Sequence, residues 1–227
     1  MNRAVALVTG FEPYGGRAIN PSAEIVRRLD GAEVAGVPVV GRLLPVSFAT
    51  LRQRARDLLS QFDPVLILSL GLWPGEPAVR LERVALNLAH FEIPDNDGAL
   101  VANAPVEPGG PLALPSRLPL DAILQALLDA GIPARLSSSA GNFLCNATMY
   151  TFLRESQRPG TCVPCGFVHL PYLPEQVADL LRQLRDSHAV ELHQRADLSS
   201  MSLETMLRAA RIIAQAALGH QPDPSGT

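Results

Sequence analysis

Pro64-Val65-Leu66-Ile67-Leu68-Ser69-Leu70 reads as one short extended run, apolar at nearly every position. A strand with one wet face would alternate apolar and polar residues. This one does not, so it belongs in the middle of a sheet covered on both sides. Outward from it, strand-like and helix-like runs alternate. Toward the N-terminus, Ser47 is placed to cap a helix that turns Leu51, Ala55, Leu58 and Leu59 inward. Before it come a strand over 37–44, a helix opened by Asn20-Pro21 with Ile25, Val26 and Leu29 on one face, and a first strand over 4–10. Toward the C-terminus the pattern predicts strands over 79–88, 134–139 and 166–170, and helices over 120–129 and 142–155. A last helix carries Leu203, Met206, Leu207, Ala210, Ile213, Ala214 and Ala217 at helical spacing and stops at Gly219. Residues 94–119, rich in Pro, Gly, Asn and Asp, are too many for a plain connection. The alternation predicts a three-layer α/β/α sandwich with a central mixed, mostly parallel sheet. One domain over 1–220 and a frayed tail over 221–227 are expected.

Composition narrows the function classes. The chain has 227 residues, 47% hydrophobic and 18% charged, enough for a full core and too apolar for global disorder. A formal charge of −3, with every basic residue an arginine, gives no basic surface for nucleic acid. No apolar run reaches the length of a signal segment or a membrane span, so a cytoplasmic protein without membrane attachment is expected. Three cysteines, Cys145, Cys162 and Cys165, argue against a disulfide framework. Cys162-Val163-Pro164-Cys165 has C-x-x-C spacing but no second pair and no following His at finger spacing, and reads as loop thiols. The glycine-rich stretch 10–16 lacks the Lys-Ser/Thr ending of a phosphate loop. Asp95-Asn96-Asp97-Gly98 is too short for a calcium loop. His188 and His193 stand amid polar residues and read as a solvated face.

In Ser139-Ala140-Gly141-Asn142-Phe143-Leu144-Cys145-Asn146 a strand ends, a glycine permits a turn, and a helix begins near Cys145. A thiol in the first turn of a helix meets unpaired N–H groups and the positive end of the macrodipole. Both favour a nucleophilic thiolate, and the same N–H groups can stabilise an oxyanion. The plainer reading of Cys145 is a small apolar core residue. His169 lies near the end of an apolar strand, where α/β sheets place their site crevices, and a nearby thiol raises it from a structural residue to a candidate base. Glu82 could hold the imidazole in one tautomer. Alone, it reads as a strand residue paired with an arginine.

Four blocks of the chain resemble one family. Gly10-Phe11-Glu12-Pro13-Tyr14-Gly15-Gly16 with Asn20-Pro21-Ser22 is similar to the N-terminal signature of pyroglutamyl peptidase I, or pyrrolidone-carboxylate peptidase. Glu82-Arg83-Val84-Ala85-Leu86-Asn87 with Ile93-Pro94-Asp95-Asn96-Asp97-Gly98 resembles its glutamate motif and the loop that follows. Ala140-Gly141-Asn142-Phe143-Leu144-Cys145-Asn146 with Met149-Tyr150 resembles its cysteine motif, and Phe167-Val168-His169-Leu170-Pro171-Tyr172 its histidine motif. The blocks occur in family order. The resemblance implies a cysteine exopeptidase that removes an N-terminal pyroglutamyl residue from peptides through a thioester. It makes Cys145 the nucleophile, His169 the base and Glu82 the orienting carboxylate. It places Phe11, Tyr14, Asn20, Leu72, Phe143 and Leu144 at the substrate, Tyr14 and Phe143 as aromatic walls for a flat lactam. It implies no metal or organic cofactor, and a homodimer or homotetramer.

Gly71-Leu72-Trp73-Pro74-Gly75-Glu76 departs from the Gly-Gln-Ala-Gly-Gly-Arg pattern of that family. Leu72 removes an amide, Pro74 a backbone donor, and Glu76 reverses a charge beside the expected site. The alternative to an active hydrolase is therefore a low-activity or inactive family member that binds small lactams or peptides. A phosphorylase-like enzyme would need a phosphate site, and no arginine cluster clearly makes one.

Overall fold

The computed structural model describes residues 4–157, 162–187 and 198–220. The strands are β1 (Ala6–Phe11), β2 (Glu33–Val34), β3 (Val37–Leu44), β4 (Leu66–Leu72), β5 (Val79–Glu82), β6 (Val84–Leu86), β7 (Ala113–Pro115), β8 (Ala134–Ser137) and β9 (Cys165–Leu170). The helices are α1 (Pro21–Leu29), α2 (Phe48–Phe62), α3 (Leu120–Asp129), α4 (Leu144–Glu155), α5 (Pro174–Ser187) and α6 (Leu203–Gly219). Seven strands form one sheet in the order β2-β3-β1-β4-β9-β5-β8, and β6 and β7 form a separate two-stranded ribbon.

The run read first is the central strand β4, buried at all of its positions. Its alternate residues serve opposite faces. Leu66, Leu68 and Leu70 pack with α1, α3 and α6, while Ile67 joins the core made with α2 and α4. The mixed, mostly parallel sheet with helices on both sides is as the periodicity requires. Strands β3, β1, β4 and β9 are parallel neighbours. The polarity then reverses: β5 is antiparallel to β9 and parallel to β8.

That reversal decides how Cys145 reaches the site. If β8 ran parallel to β9, the helix after it would start at the carboxyl end of β9 directly. Because β8 runs the other way, the turn 138–143 must carry the chain around to bring the start of α4 to that end. Gly141, with φ of 77°, allows the turn and faces the Trp73 ring. The expected strand over 79–88 breaks into β5 and β6, since β6 leaves the main sheet to pair with β7. The segment 94–119 thereby acquires structure of its own, β7 among it. Helix α5 and the short strand β2 were not anticipated.

Asn20 caps α1 as expected, its Oδ1 accepting from the Ser22 N–H, with Pro21 in the first turn. Ser47 stands at the N-cap of α2 but its hydroxyl makes no cap bond and accepts from the Thr50 hydroxyl instead. The Phe48 N–H is satisfied from far along the chain, by Asp95 Oδ2 at 2.9 Å. The expected tail at 221–227, His188 and His193 lie outside the described residues.

Candidate active site

Near the end of β9, His169 is paired in register to Gly71 on one side and to Arg80 on the other. Gly71 allows the close approach there. A Cβ on it would come within 2.8 Å of the Phe167 ring and 3.0 Å of Cys145 Sγ. Cys145 is the second residue of α4, behind an N-cap, Phe143, whose side chain makes no cap bond. The first amides of α4 thus have no side-chain acceptor from their own cap. The helix start is fixed by buried Asn146, which donates to the Leu86 and Leu88 carbonyls and accepts from the Leu86 N–H.

Cys145 and His169 line one cavity of about 310 Å³ with Tyr14, Arg17, Leu72, Trp73, Pro74, Ile93 and Phe143. Behind Cys145 a small apolar slot is bounded by Phe11, Tyr14, Val46, Leu72, Phe143 and Leu144. Five of the six proposed substrate positions therefore converge. The sixth, Asn20, does not. It is 1% exposed, its Oδ1 accepts from Ser22, and its Nδ2 donates to the Glu12 carbonyl, so its polar atoms hold the 11–20 loop from behind and leave none for a substrate. The tilted rings of Tyr14 and Phe143 lie 5.8 Å apart between centres, and Phe91, for which the sequence carries no signal, meets Phe143 edge-on at 4.7 Å.

Glu82 is fully buried behind the imidazole, with Oε1 2.7 Å from His169 Nδ1. This contact assigns Nδ1 the proton and leaves Nε2 as the free acceptor. Burial pushes the His169 pKa below its ordinary value, against the opposing pull of Glu82. The imidazole is therefore neutral, and able to accept a proton, at neutral pH. Burial pushes the Cys145 thiol up to about 12, with the Glu82 charge adding to it and a backbone hydrogen bond opposing. The N–H groups at the start of α4 are expected to pull the other way, toward a thiolate. Desolvation works against that preference at Cys145, which is itself partly exposed. Tyr14 is likewise held protonated, mainly by burial.

Glu76 was expected to place a reversed charge at the site. It does not line the cavity: it is 3% exposed and accepts two bonds from Arg135, at 2.9 and 2.7 Å, and one from Arg80 at 3.3 Å. Burial opposes its ionisation, but these arginines outweigh that and hold its carboxyl below the usual range. Leu72 and Pro74 do reach the cavity, where they extend its apolar wall. Cys162 is exposed, Cys165 is buried, and neither is disulfide-bonded.

A thiol and a neutral imidazole in one apolar cavity, with a buried carboxylate on the far ring nitrogen, on an α/β/α sandwich, are the layout of a cysteine peptidase. Comparison with known proteins makes this specific. The family model described as pyroglutamyl peptidase matches residues 4–220. The chain is 43% identical over 173 residues to pyrrolidone-carboxylate peptidase of Pyrococcus furiosus, covering 76% of this chain and 83% of that one. It is 38% identical over 212 residues to the Thermococcus onnurineus protein of the same name, covering 93% and 98%. A crystal structure of pyrrolidone carboxyl peptidase from Pyrococcus furiosus superposes with a TM-score of 0.85 at 38% identity, covering 94% of this chain and 97% of that one. The chain belongs to the pyroglutamyl peptidase family.

Proposed function

We propose that this chain is a cysteine exopeptidase that removes the N-terminal pyroglutamyl residue from peptides, with Cys145, His169 and Glu82 as its reacting and orienting groups. The observation that carries the reading is the shared cavity of Cys145 and His169, with Glu82 bonded to the opposite ring nitrogen. The lactam enters the larger cavity against Tyr14, Leu72 and Phe143, with Phe11 and Leu144 closing the small slot behind it, and these apolar walls suit a flat, uncharged ring. His169 Nε2 takes the thiol proton as Cys145 Sγ attacks the pyroglutamyl carbonyl carbon. The oxyanion that forms meets the free amides at the start of α4. Collapse breaks the C–N bond, and the His169 proton passes to the leaving amine. Water, deprotonated by the same imidazole, then cleaves the thioester and restores the thiol. Glu82 stabilises the imidazolium at both stages.

Hydrolysis of pyroglutamyl-aminomethylcoumarin tests the reading. Wild-type protein should release the coumarin and Cys145→Ala should not; equal rates would refute it. Of the changes in 71–76 that motivate an inactive lactam binder, the charge reversal at residue 76 is countered by the burial and pairing of Glu76, while Leu72 and Pro74 line the cavity. Family membership supports assembly as a homodimer or homotetramer, which sedimentation equilibrium measures. The three free thiols support a reducing, cytoplasmic setting.

A further inference from the structure

Arg80 stands where several parts of the site meet. It is 8% exposed. Its Nε donates to Glu82 Oε1 at 3.1 Å, the same oxygen that receives His169 Nδ1. One terminal nitrogen donates to the Ser137 hydroxyl at 2.7 Å and to the Ser139 carbonyl at 2.8 Å. The other reaches Glu76. The guanidinium lies 3.9 Å from the centre of the Trp73 ring, and Trp73 meets the His169 ring edge-on at 4.9 Å. A single planar cation thus touches the orienting carboxylate, the turn that delivers Cys145, and the aromatic wall of the cavity. Few groups other than a guanidinium offer that fan of donors.

We propose that Arg80 is a positioning residue of the reaction: it aims Glu82 at His169 and clamps the 138–143 turn, so that acid and nucleophile are held by one side chain. Resting on the peptidase reading, the proposal also gives Glu76 a task. A buried cation this close to His169 disfavours the imidazolium that the reaction must form. Glu76, braced from outside by Arg135, offsets that charge without entering the cavity. The result is a row of alternating charge, Arg135–Glu76–Arg80–Glu82, ending on the imidazole. The titratable and charged groups around His169 are Glu82 and Arg80 on β5, Glu76 in the turn after β4, and Cys145 on α4. Tyr14, Arg17 and Glu92 stand on the cavity wall.

Arg80→Gln, Arg80→Lys and Glu76→Gln test this by thermal unfolding, by kcat and KM across pH on pyroglutamyl-aminomethylcoumarin, and by titration of the His169 ring in 15N NMR, which needs no turnover. Arg80→Gln should lower kcat about 100-fold with KM changed by less than about threefold. It should raise both the acidic limb of kcat/KM and the ring titration by about one pH unit, because a cation has left. Glu76→Gln should shift both the other way. Arg80→Lys should leave the ring titration near its original place yet recover little kcat, since charge is kept and the fork is lost. A folded Arg80→Gln protein with kcat within about twofold of wild type would overturn the proposal. So would a Glu76→Gln protein whose ring titration does not move, and that variant decides alone if Arg80→Gln fails to fold. Wild-type protein that does not hydrolyse the substrate would instead sink the peptidase reading, and the NMR shifts would still judge Arg80.

Discussion

At the residue scale, the site depends on atoms that are missing as much as on those present. Gly71 leaves room for the Phe167 ring and Cys145 Sγ to approach β4 together. Gly71→Ala should therefore displace the sulfur and lower kcat/KM at least about 10-fold. Circular dichroism and steady-state kinetics on one preparation check this, and a fully active variant would show that the ring and sulfur yield easily. Glu82→Gln replaces the carboxylate with a group of the same shape and should lower kcat by about 1,000-fold or more while the fold persists. Reactivity of the resting thiol is a third check at this scale. With the thiol pushed up to about 12 by burial and the Glu82 charge, iodoacetamide should modify Cys145 at pH 6.5 more slowly than a model thiol. Faster labelling would restore the helix-terminus thiolate.

At the element scale, the strands and helices that depend on local pattern were legible, and those that depend on distant partners were not. Uninterrupted apolar residues identified β4, and Asn20-Pro21 identified the start of α1, because both signals are local. The start of α2 was legible in place but not in cause, since its cap comes from Asp95. Asp95 also accepts from the Asp97 and Ala99 amides, which folds its own loop around the carboxylate. Asp95→Ala should cost about 1–2 kcal/mol in urea unfolding, and Ser47→Ala less than about 0.5 kcal/mol. The reverse order would return the cap to Ser47. The positions of Cys145 and His169 could be picked from their motifs, but their meeting required the 138–143 turn, which periodicity does not describe. Arg80 carried one usable signal. Residues 80 and 82 of a strand share a face, so a cation two positions from a candidate acid is its neighbour. Trp73 and Phe91 carried none.

At the scale of the whole molecule, the perturbed groups define a pH range for stability. His169 is held below its ordinary imidazole pKa by burial, so the unfolded chain binds its proton more readily. Folding stability therefore declines as pH falls from about 6.5 toward the folded value. Glu107 and Glu155 resist ionisation through burial but are held below the usual range by their arginine partners on α2 and α4. Their contribution is present above the ordinary carboxylate pKa and lost as pH falls through the depressed one. At the other end, buried Cys165, pushed up to about 12, resists ionisation, so stability declines as pH rises past 9.0, its ordinary value. Unfolding temperature should be flat between about pH 6.5 and 9 and fall on both sides. A maximum near pH 5 in differential scanning calorimetry would contradict this.

The change of strand direction between β9 and β5 has a kinetic consequence. Glu82 and Arg80 ride on a two-strand flap, β5 and β8, whose attachment to the remaining sheet is the antiparallel pairing of Arg80 with His169 and Leu81 with Val168. A partial opening that peels the flap away would strip the imidazole of its carboxylate while the parallel half, β3-β1-β4-β9, stays intact. Amide exchange of Leu81 and loss of turnover should then share one denaturant dependence, earlier than that of Leu68, and enzymatic rate becomes a gauge of whether the last-docked margin of the sheet is shut.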